Sequence, residues 1–282
     1  MQLLKQKSIK SLLVNVRMSP QSFNKWKKIK FFYKQMTECF SEIYAQSQLD
    51  RERIKILTNR NIKFIGNLKL SSGSNFQKVS LDKKLINFQK EKIFMLASTH
   101  ENEELQFLPI IKRLLFQVDG LKIIIAPRHP ERSKTIQSLY KKSGISTKLI
   151  SDSSYVNSDV LIVNTFGNLP AYFNISDIVF LGGSFVKKGG HNPIEPTSYN
   201  CVIKTGPHMY NWQNIYEDML KDNACLSFNK ITILEEKIKE LFEDNTEMNK
   251  MKKNSKKITQ KKFFDSKKLI HSINNHIEAT IC

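Results

Sequence analysis

The sequence predicts an α/β fold built on a doubly wound parallel sheet, and three observations carry that prediction. Short apolar runs at residues 93–98, 121–126, 160–163, 177–181 and 202–204 read as buried strands. Helical patterns at 101–118, at 130–142, from about Leu169 and from Asn192 fall between them or follow them. Each run ends in a turn rich in glycine, proline, histidine, asparagine or threonine. Alternating strands and helices imply parallel pairing, because a chain returns to the same end of a sheet only through a long crossover.

Taken from the amino terminus, residues 11–16 (SLLVNV) read as a strand and 20–40 as lysine-rich helical pieces. Residues 41–46 form another short strand, Ser47 caps a helix running to about Leu57, and 61–65 is a strand closed by Gly66-Asn67. These few strands are short measure for a free-standing unit of this class. The first third therefore either completes the following unit or belongs to a larger domain. Residues 70–80 (LSSGSNFQKVS), rich in Ser, Gly and Asn between patterned segments, are the best linker candidate. Beyond Trp212 the chain reads as mostly helical, at 211–220, 231–243 and 266–278.

With 282 residues, 40% hydrophobic and 10% aromatic, the chain can fill one large core or two modest ones. No apolar run approaches the roughly 20 residues of a membrane span, and residues 1–10 lack the long apolar centre of a signal peptide, so the expectation is cytoplasmic. Cys39, Cys201, Cys225 and Cys282 lie far apart without a CxxC pair, which suggests neither a disulfide framework nor a zinc knuckle. The net charge of +19 is concentrated in two places. Residues 1–40 carry nine basic residues against Glu38 alone, and residues 250–268 carry nine lysines against Asp265 alone, so each contributes +8. Such patches attract an anionic membrane face. No motif that reads DNA or RNA accompanies the charge, so nucleic acid is not the expected partner. A lysine-biased, merely solvated surface is the alternative.

In doubly wound sheets ligands bind beyond the carboxyl ends of the strands, so the turns there are where chemistry belongs. They are Ser98-Thr99-His100-Glu101, Pro127-Arg128-His129-Pro130-Glu131-Arg132, Asn164-Thr165-Phe166-Gly167-Asn168, Gly182-Gly183-Ser184 with Gly189-Gly190-His191, and Thr205-Gly206-Pro207-His208. Four of the six histidines thus fall on one edge. Arg128 lies between two prolines, in a rigid turn that presents its guanidinium to a phosphate or carboxylate, unless it only makes a surface salt bridge. Asn192-Pro193-Ile194-Glu195 reads as a helix start, with Asn192 the N-cap, Pro193 the first helical residue and Glu195 the third, closing a capping box. A glycine-rich loop entering a helix offers unpaired N–H groups to an anion; a well-capped helix without a ligand is the other reading. Ser98 and Thr99 read as caps for the helix that follows, with Glu101 in its first turn. Phe166 is either core or a platform for a nucleobase. The four histidines could hold a metal, but no HxxH or HxxxH spacing supports one. Two classes survive: an enzyme handling an anionic or nucleotide-activated small molecule, and a non-catalytic α/β nucleotide- or polyanion-binding protein.

Ala97-Ser98-Thr99-His100-Glu101, Pro127 to Arg132, Gly182-Gly183-Ser184, Gly189 to Pro196 and Thr205-Gly206-Pro207-His208 together resemble the 3-deoxy-D-manno-octulosonic acid (Kdo) transferases. Val14-Asn15-Val16-Arg17-Met18-Ser19, Ala45-Gln46-Ser47 and Gly66-Asn67-Leu68-Lys69 are similar to the later part of that family's first domain. The resemblance implies a GT-B glycosyltransferase fold: 1–69 a remnant of the acceptor-side N-terminal domain, 70–91 a linker, and 92–282 a complete Rossmann-like domain that binds CMP-Kdo. It implies transfer of Kdo from CMP-Kdo to a lipid A precursor (lipid IVA) in lipopolysaccharide synthesis, at the cytoplasmic face of the bacterial inner membrane, with no metal or other cofactor. Carried over residue by residue, Pro127 and Arg128 contact CMP, and Phe166, Gly167 and Asn168 line the nucleotide pocket. Asn192, Pro193, Ile194 and Glu195 hold the CMP, Glu195 at the ribose hydroxyls. Thr99, His100, His129, Gly183, Ser184, Gly190 and His191 fall in the matching turns and support the donor site. Two departures stand out. Asn164-Thr165-Phe166-Gly167-Asn168 replaces the family's Asp-Thr-Met-Gly-Glu, exchanging two carboxylates for amides. The segment bearing the family's general-base glutamate, and its amino-terminal membrane anchor, are expected to have no counterpart in this chain. No residue here inherits the base, and transfer by this chain alone is expected to be impaired.

Overall fold

A computed structural model describes residues 2–7, 9–64, 67–68, 85, 91–152 and 158–281. The chain divides into two compact units, Met1–Asn75 with Lys261–Cys282, and Phe76–Gln260. In this division Lys261–Cys282 group with the first unit. Apart from Leu85 and Glu91, the linker expected at 70–91 lies outside the described residues.

The first unit contains α1 (Gln2–Gln6), β1 (Leu12–Val16), α2 (Pro20–Lys28), α3 (Lys30–Thr37), β2 (Glu42–Ala45), α4 (Gln48–Thr58) and β3 (Lys63–Phe64). Its three strands pair in parallel in the order β1-β2-β3. Ser47 caps α4 as expected, its hydroxyl accepting the N–H of Asp50. Ser19 does the same for α2, with Pro20 in the first helical position. Met18, Tyr33, Ile43, Ala45, Ile54, Leu57 and Ile62 form the core.

The second unit contains β4 (Lys92–Thr99), α5 (Glu103–Gln117), β5 (Leu121–Pro127), a 3-10 turn at Pro130–Arg132, α6 (Ser133–Lys142), β6 (Thr147–Leu149), β7 (Val160–Ile162) and α7 (Leu169–Ile175). Then come β8 (Ile178–Leu181), α8 (Ile194–Thr197), β9 (Val202–Thr205), α9 (Gln213–Lys221), β10 (Cys225–Ser227), α10 (Ile231–Glu243) and the start of α11 (Asn245–Ile281). Its seven strands are all parallel, in the order β10-β9-β8-β4-β5-β7-β6. Helices pack against the sheet, and the inner strands are largely apolar and do not alternate, with the buried Lys204 of β9 an exception. Phe94, Phe107, Phe180, Val202, Leu234 and Ile238 belong to one continuous core.

Two edge strands, β6 and β10, were not anticipated. Nor was the length of α11: one helix of 37 residues takes in the whole lysine-rich run, where only 266–278 reads as helical in the sequence. The expected helix start at Asn192 is also displaced. α8 begins at Ile194 with Pro193 in the capping position and no side-chain cap. The Asn192 Oδ1 instead accepts the N–H of Ile194, two residues on, at 3.0 Å. An asparagine engaged in such a tight local turn does not reach the third helical N–H, so no capping box forms.

Candidate functional site at the sheet's switch point

After β4 the chain moves to β5 on one side, while β8, β9 and β10 lie on the other. The boundary between β4 and β8 is thus the topological switch point, the place where open sheets of this kind bind their ligands. The turns are packed backbone to backbone. β4 shifts register between Ala97 and Thr99, with Ser98 at φ 56°. A Cβ on Gly182 would lie 2.3 Å from the Ser98 carbonyl oxygen. A Cβ on Gly206 would lie 2.4 Å from that of Ser184. Only glycine permits either crossing. Ser184 is wholly buried; its hydroxyl donates to Leu181 O and accepts the Gly206 N–H at 2.8 Å. It ties the turns after β8 and β9 together.

Two buried carboxylates, which the motif reading passed over, hold this edge in place. Glu103 Oε2 accepts the N–H groups of His100 at 2.9 Å and Gly183 at 2.7 Å, and Oε1 accepts that of Phe185 at 3.1 Å. Burial pushes its carboxyl above the usual range, and these backbone donors oppose the shift. Glu104 takes the Thr99 hydroxyl at 2.6 Å and a two-pronged contact from Arg132 at 3.0 and 2.7 Å. A sequence signal for both existed: Glu103 and Glu104 lie on the same helical stripe as the buried Phe107, Ile110, Ile111 and Leu114.

This arrangement corrects two expectations. Ser98 and Thr99 do not cap α5; its capping position is Asn102 at φ 71°, and Glu101 lies before the helix, in solvent. The unpaired N–H groups expected of the glycine loop are also largely engaged. Gly183 and Phe185 donate to Glu103, Gly190 donates to Gly183 O at 3.0 Å, and Ile194 donates to Asn192. Glu103 supplies the negative charge that an external anion would otherwise bring.

The charge left facing outward is cationic, carried by Arg128 and Lys188 beside a cluster of imidazoles. His100 Nε2 lies 3.0 Å from His191 Nε2, with the rings 9° from parallel and their centroids 5.3 Å apart. His129 stands edge-on to His100 at 6.4 Å. Gly183 sits against both His100 and Lys188, where a Cβ would lie 3.1 Å from the ring and 3.2 Å from the Lys188 Cβ. The Arg128 N–H donates to Thr99 O at 2.9 Å, which joins the turn after β5 to this group. Burial, then the charges of Lys188, His129, Arg128 and Arg132, hold His100 below the ordinary histidine range. Burial, then His100 and Arg128, push His191 down to about 4. Both shifts favour the neutral imidazole, in cationic surroundings. Among the described residues, no group of three or more His, Cys, Asp or Glu is placed to hold a metal ion.

The remaining candidates lie farther along the edge. His208 enters through its backbone, donating its N–H to Ser184 O at 3.0 Å. Phe166, Gly167 and Asn168 follow β7, which pairs with β5. Phe166 is 78% exposed, so it is not core, and no atom lies within 4 Å of a Cβ built on Gly167. Pro127, Pro193 and Ile194 are buried, as is Gly190, where a Cβ would collide with Met209. Solvent reaches the Glu195 side chain, yet enough protein surrounds it to raise its carboxyl above the usual range.

The family model described as 3-Deoxy-D-manno-octulosonic-acid transferase (kdotransferase) matches residues 1–72. The 3-deoxy-D-manno-octulosonic acid transferase of Rickettsia bellii is 34% identical over 256 residues, 89% of this chain and 61% of its own length. By homology the chain is a Kdo transferase relative. It spans about three fifths of that protein's length. The C-terminal CMP-Kdo binding domain of WaaA from Acinetobacter baumannii superposes with a TM-score of 0.56 at 24% identity, covering 61% of this chain and 91% of that domain. A glycosyltransferase from Rickettsia africae ESF-5 gives 0.63 at 13% identity, covering 98% and 78%. At these identities the likeness speaks for the fold alone, which is α/β of the GT-B class, as the motifs imply.

Proposed function

We propose that this Kdo transferase relative serves in moving Kdo from CMP-Kdo to a lipid A precursor, with the donor held by its second unit. The observation that carries the reading is the unbalanced positive edge at the switch point. Among the described residues neither Arg128 nor Lys188 is paired with a carboxylate, whereas Arg132 beside them is neutralised by Glu104. Arg128 then takes the CMP phosphate, and the exposed Phe166 gives the cytosine a face to stack on. Gly167 leaves room for close approach, and Glu195 meets the ribose hydroxyls. Asn168 can donate or accept a hydrogen bond where a carboxylate only accepts. As the bond to Kdo breaks, negative charge grows on the departing CMP, and fixed cations at that edge stabilise it without reorganising.

The first unit supports a setting at an anionic membrane face. Phe31 and Phe32 are 72% and 63% exposed, edge-to-face at 6.0 Å. Lys27, Lys28, Lys30 and Lys34 flank them in sequence. Exposed aromatics among lysines suit a lipid headgroup boundary. No helix among the described residues is long and apolar enough to cross a membrane. Calorimetry with CMP tests the donor reading. Arg128→Ala is expected to weaken binding by about tenfold or more, the loss of a charge-assisted hydrogen bond, and Glu195→Ala by less. Unchanged affinity in both variants would remove the assignment.

A further inference from the structure

We propose that His100 and His191 form an anion subsite that loads a proton with its ligand. Without an anion both rings are neutral and a single hydrogen lies between their facing nitrogens; an anion docking against the pair draws one further proton from solvent and makes one ring an imidazolium. The inference rests on the donor-binding reading and adds the protonation chemistry of one part of that edge.

The geometry limits the pair first. Two Nε2 atoms 3.0 Å apart have room for a single hydrogen between them, so one ring donates and the other accepts. Nearly parallel rings 5.3 Å apart would carry two imidazolium charges only against strong mutual repulsion. The surroundings add to it. Lys188, His129, Arg128 and Arg132 act on His100, and Arg128 acts on His191. The nearby carboxylates are committed elsewhere: Glu103 to backbone N–H groups, Glu104 to Arg132 and Thr99, and Glu131 to His129 at 3.5 Å. Among the described residues, no carboxylate is placed to stabilise an imidazolium on the pair. An anion from outside reverses the balance, and the protonated pair then faces it with one more N–H donor. The bond gained is that N–H, its proton given up by hydronium or a buffer acid; no other covalent bond changes. The ligand class is a phosphate or a sugar carboxylate, and CMP-Kdo carries both.

Linkage sets the sign. Anion binding raises the imidazole pKa, so between the free and bound values binding takes up a proton and tightens as pH falls. The full effect of one proton is roughly tenfold in affinity per pH unit. The test is calorimetry of CMP and of CMP-Kdo between pH 6 and 8, in buffers of different ionisation enthalpy, on wild type, His100→Gln and His191→Gln. The ligand's own titration is common to all three proteins and cancels in the comparison. Wild type is expected to take up more protons than either variant and to show the steeper pH dependence. Extra uptake with CMP assigns the subsite to the phosphate; extra uptake with CMP-Kdo alone assigns it to the sugar carboxylate. Equal proton counts in all three proteins would overturn the proposal with the donor reading intact. No binding of either ligand to wild type would remove both. Imidazole nitrogen NMR of wild type gives a readout without substitution: saturating ligand should move His100 or His191 to imidazolium shifts, and unchanged neutral shifts would overturn the inference.

Discussion

The turn after β8 and the turn after β7 occupy equivalent places on the same sheet edge, and they are built in opposite ways. The first is closed on itself. Gly182 and Gly206 are glycines because neighbouring backbone occupies the space of a Cβ, and the carboxylate of Glu103 collects amides from turns 80 residues apart. The second is open, with nothing near Gly167 and with Phe166 largely in solvent. The same residue type after a strand can thus mean close packing in one turn and free access in the next. A binding site needs both, a wall that does not move and a face that a ligand can reach.

The sharpest way to break this contrast is to add one methyl group to each turn. Gly182→Ala would drive a Cβ into the Ser98 carbonyl and should cost more than about 3 kcal/mol. Gly167→Ala meets no neighbour and bears only the cost of φ 92°, about 1–2 kcal/mol. Urea unfolding of both variants measures the difference, and equal costs would dissolve the distinction. Next in size is Arg132→Ala. It leaves Glu104, 2% exposed, with the Thr99 hydroxyl as its remaining side-chain partner, and should destabilise by about 3 kcal/mol. A loss within about 0.5 kcal/mol would show that the pair behaves as a surface ion pair.

What the sequence disclosed follows from the same physics. The inner strands were legible because burial under packed helices leaves them largely apolar runs. The edge strands β6 (Thr-Lys-Leu) and β10 (Cys-Leu-Ser) were not, since each is three residues long and mixes polar with apolar. α11 was hidden by its lysines, although Met248, Met251, Ser255, Ile258 and Thr259 mark a buried helical stripe among them. At the site, the glycines and histidines announced themselves by type and place. Their partners did not. That Gly183 and Phe185 would donate to Glu103 depends on contacts across some 80 residues, which no local pattern encodes.

A smaller effect separates the closed turn by pH. His191 falls from the ordinary histidine value of about 6.5 to about 4. A folded-state pKa depressed in this way contributes stability that is present above pH 6.5 and is lost as pH falls toward 4. Wild type should lose stability relative to His191→Gln across that window, by less than the limit of about 1.4 kcal/mol per pH unit. Thermal unfolding of both proteins in matched buffers measures it. Parallel curves would mean that the imidazole does not feel its neighbours.

The smallest expected change in stability is the most informative about the open turn. Phe166→Ala removes a ring that solvent already surrounds, so unfolding should shift by less than about 0.5 kcal/mol. Stacking of one base on an aromatic ring is worth about 1–3 kcal/mol, so the same substitution should weaken CMP by about tenfold if that ring is the cytosine platform. Phe166→Trp should keep the affinity, and Phe166→Leu should recover only part of it, because stacking needs a flat face and not merely apolar area. A stability loss above about 1 kcal/mol would mark Phe166 as packed in solution. Unchanged CMP affinity in all three variants would leave the β7 turn outside the nucleotide pocket, and the contrast between the two turns would then concern folding alone.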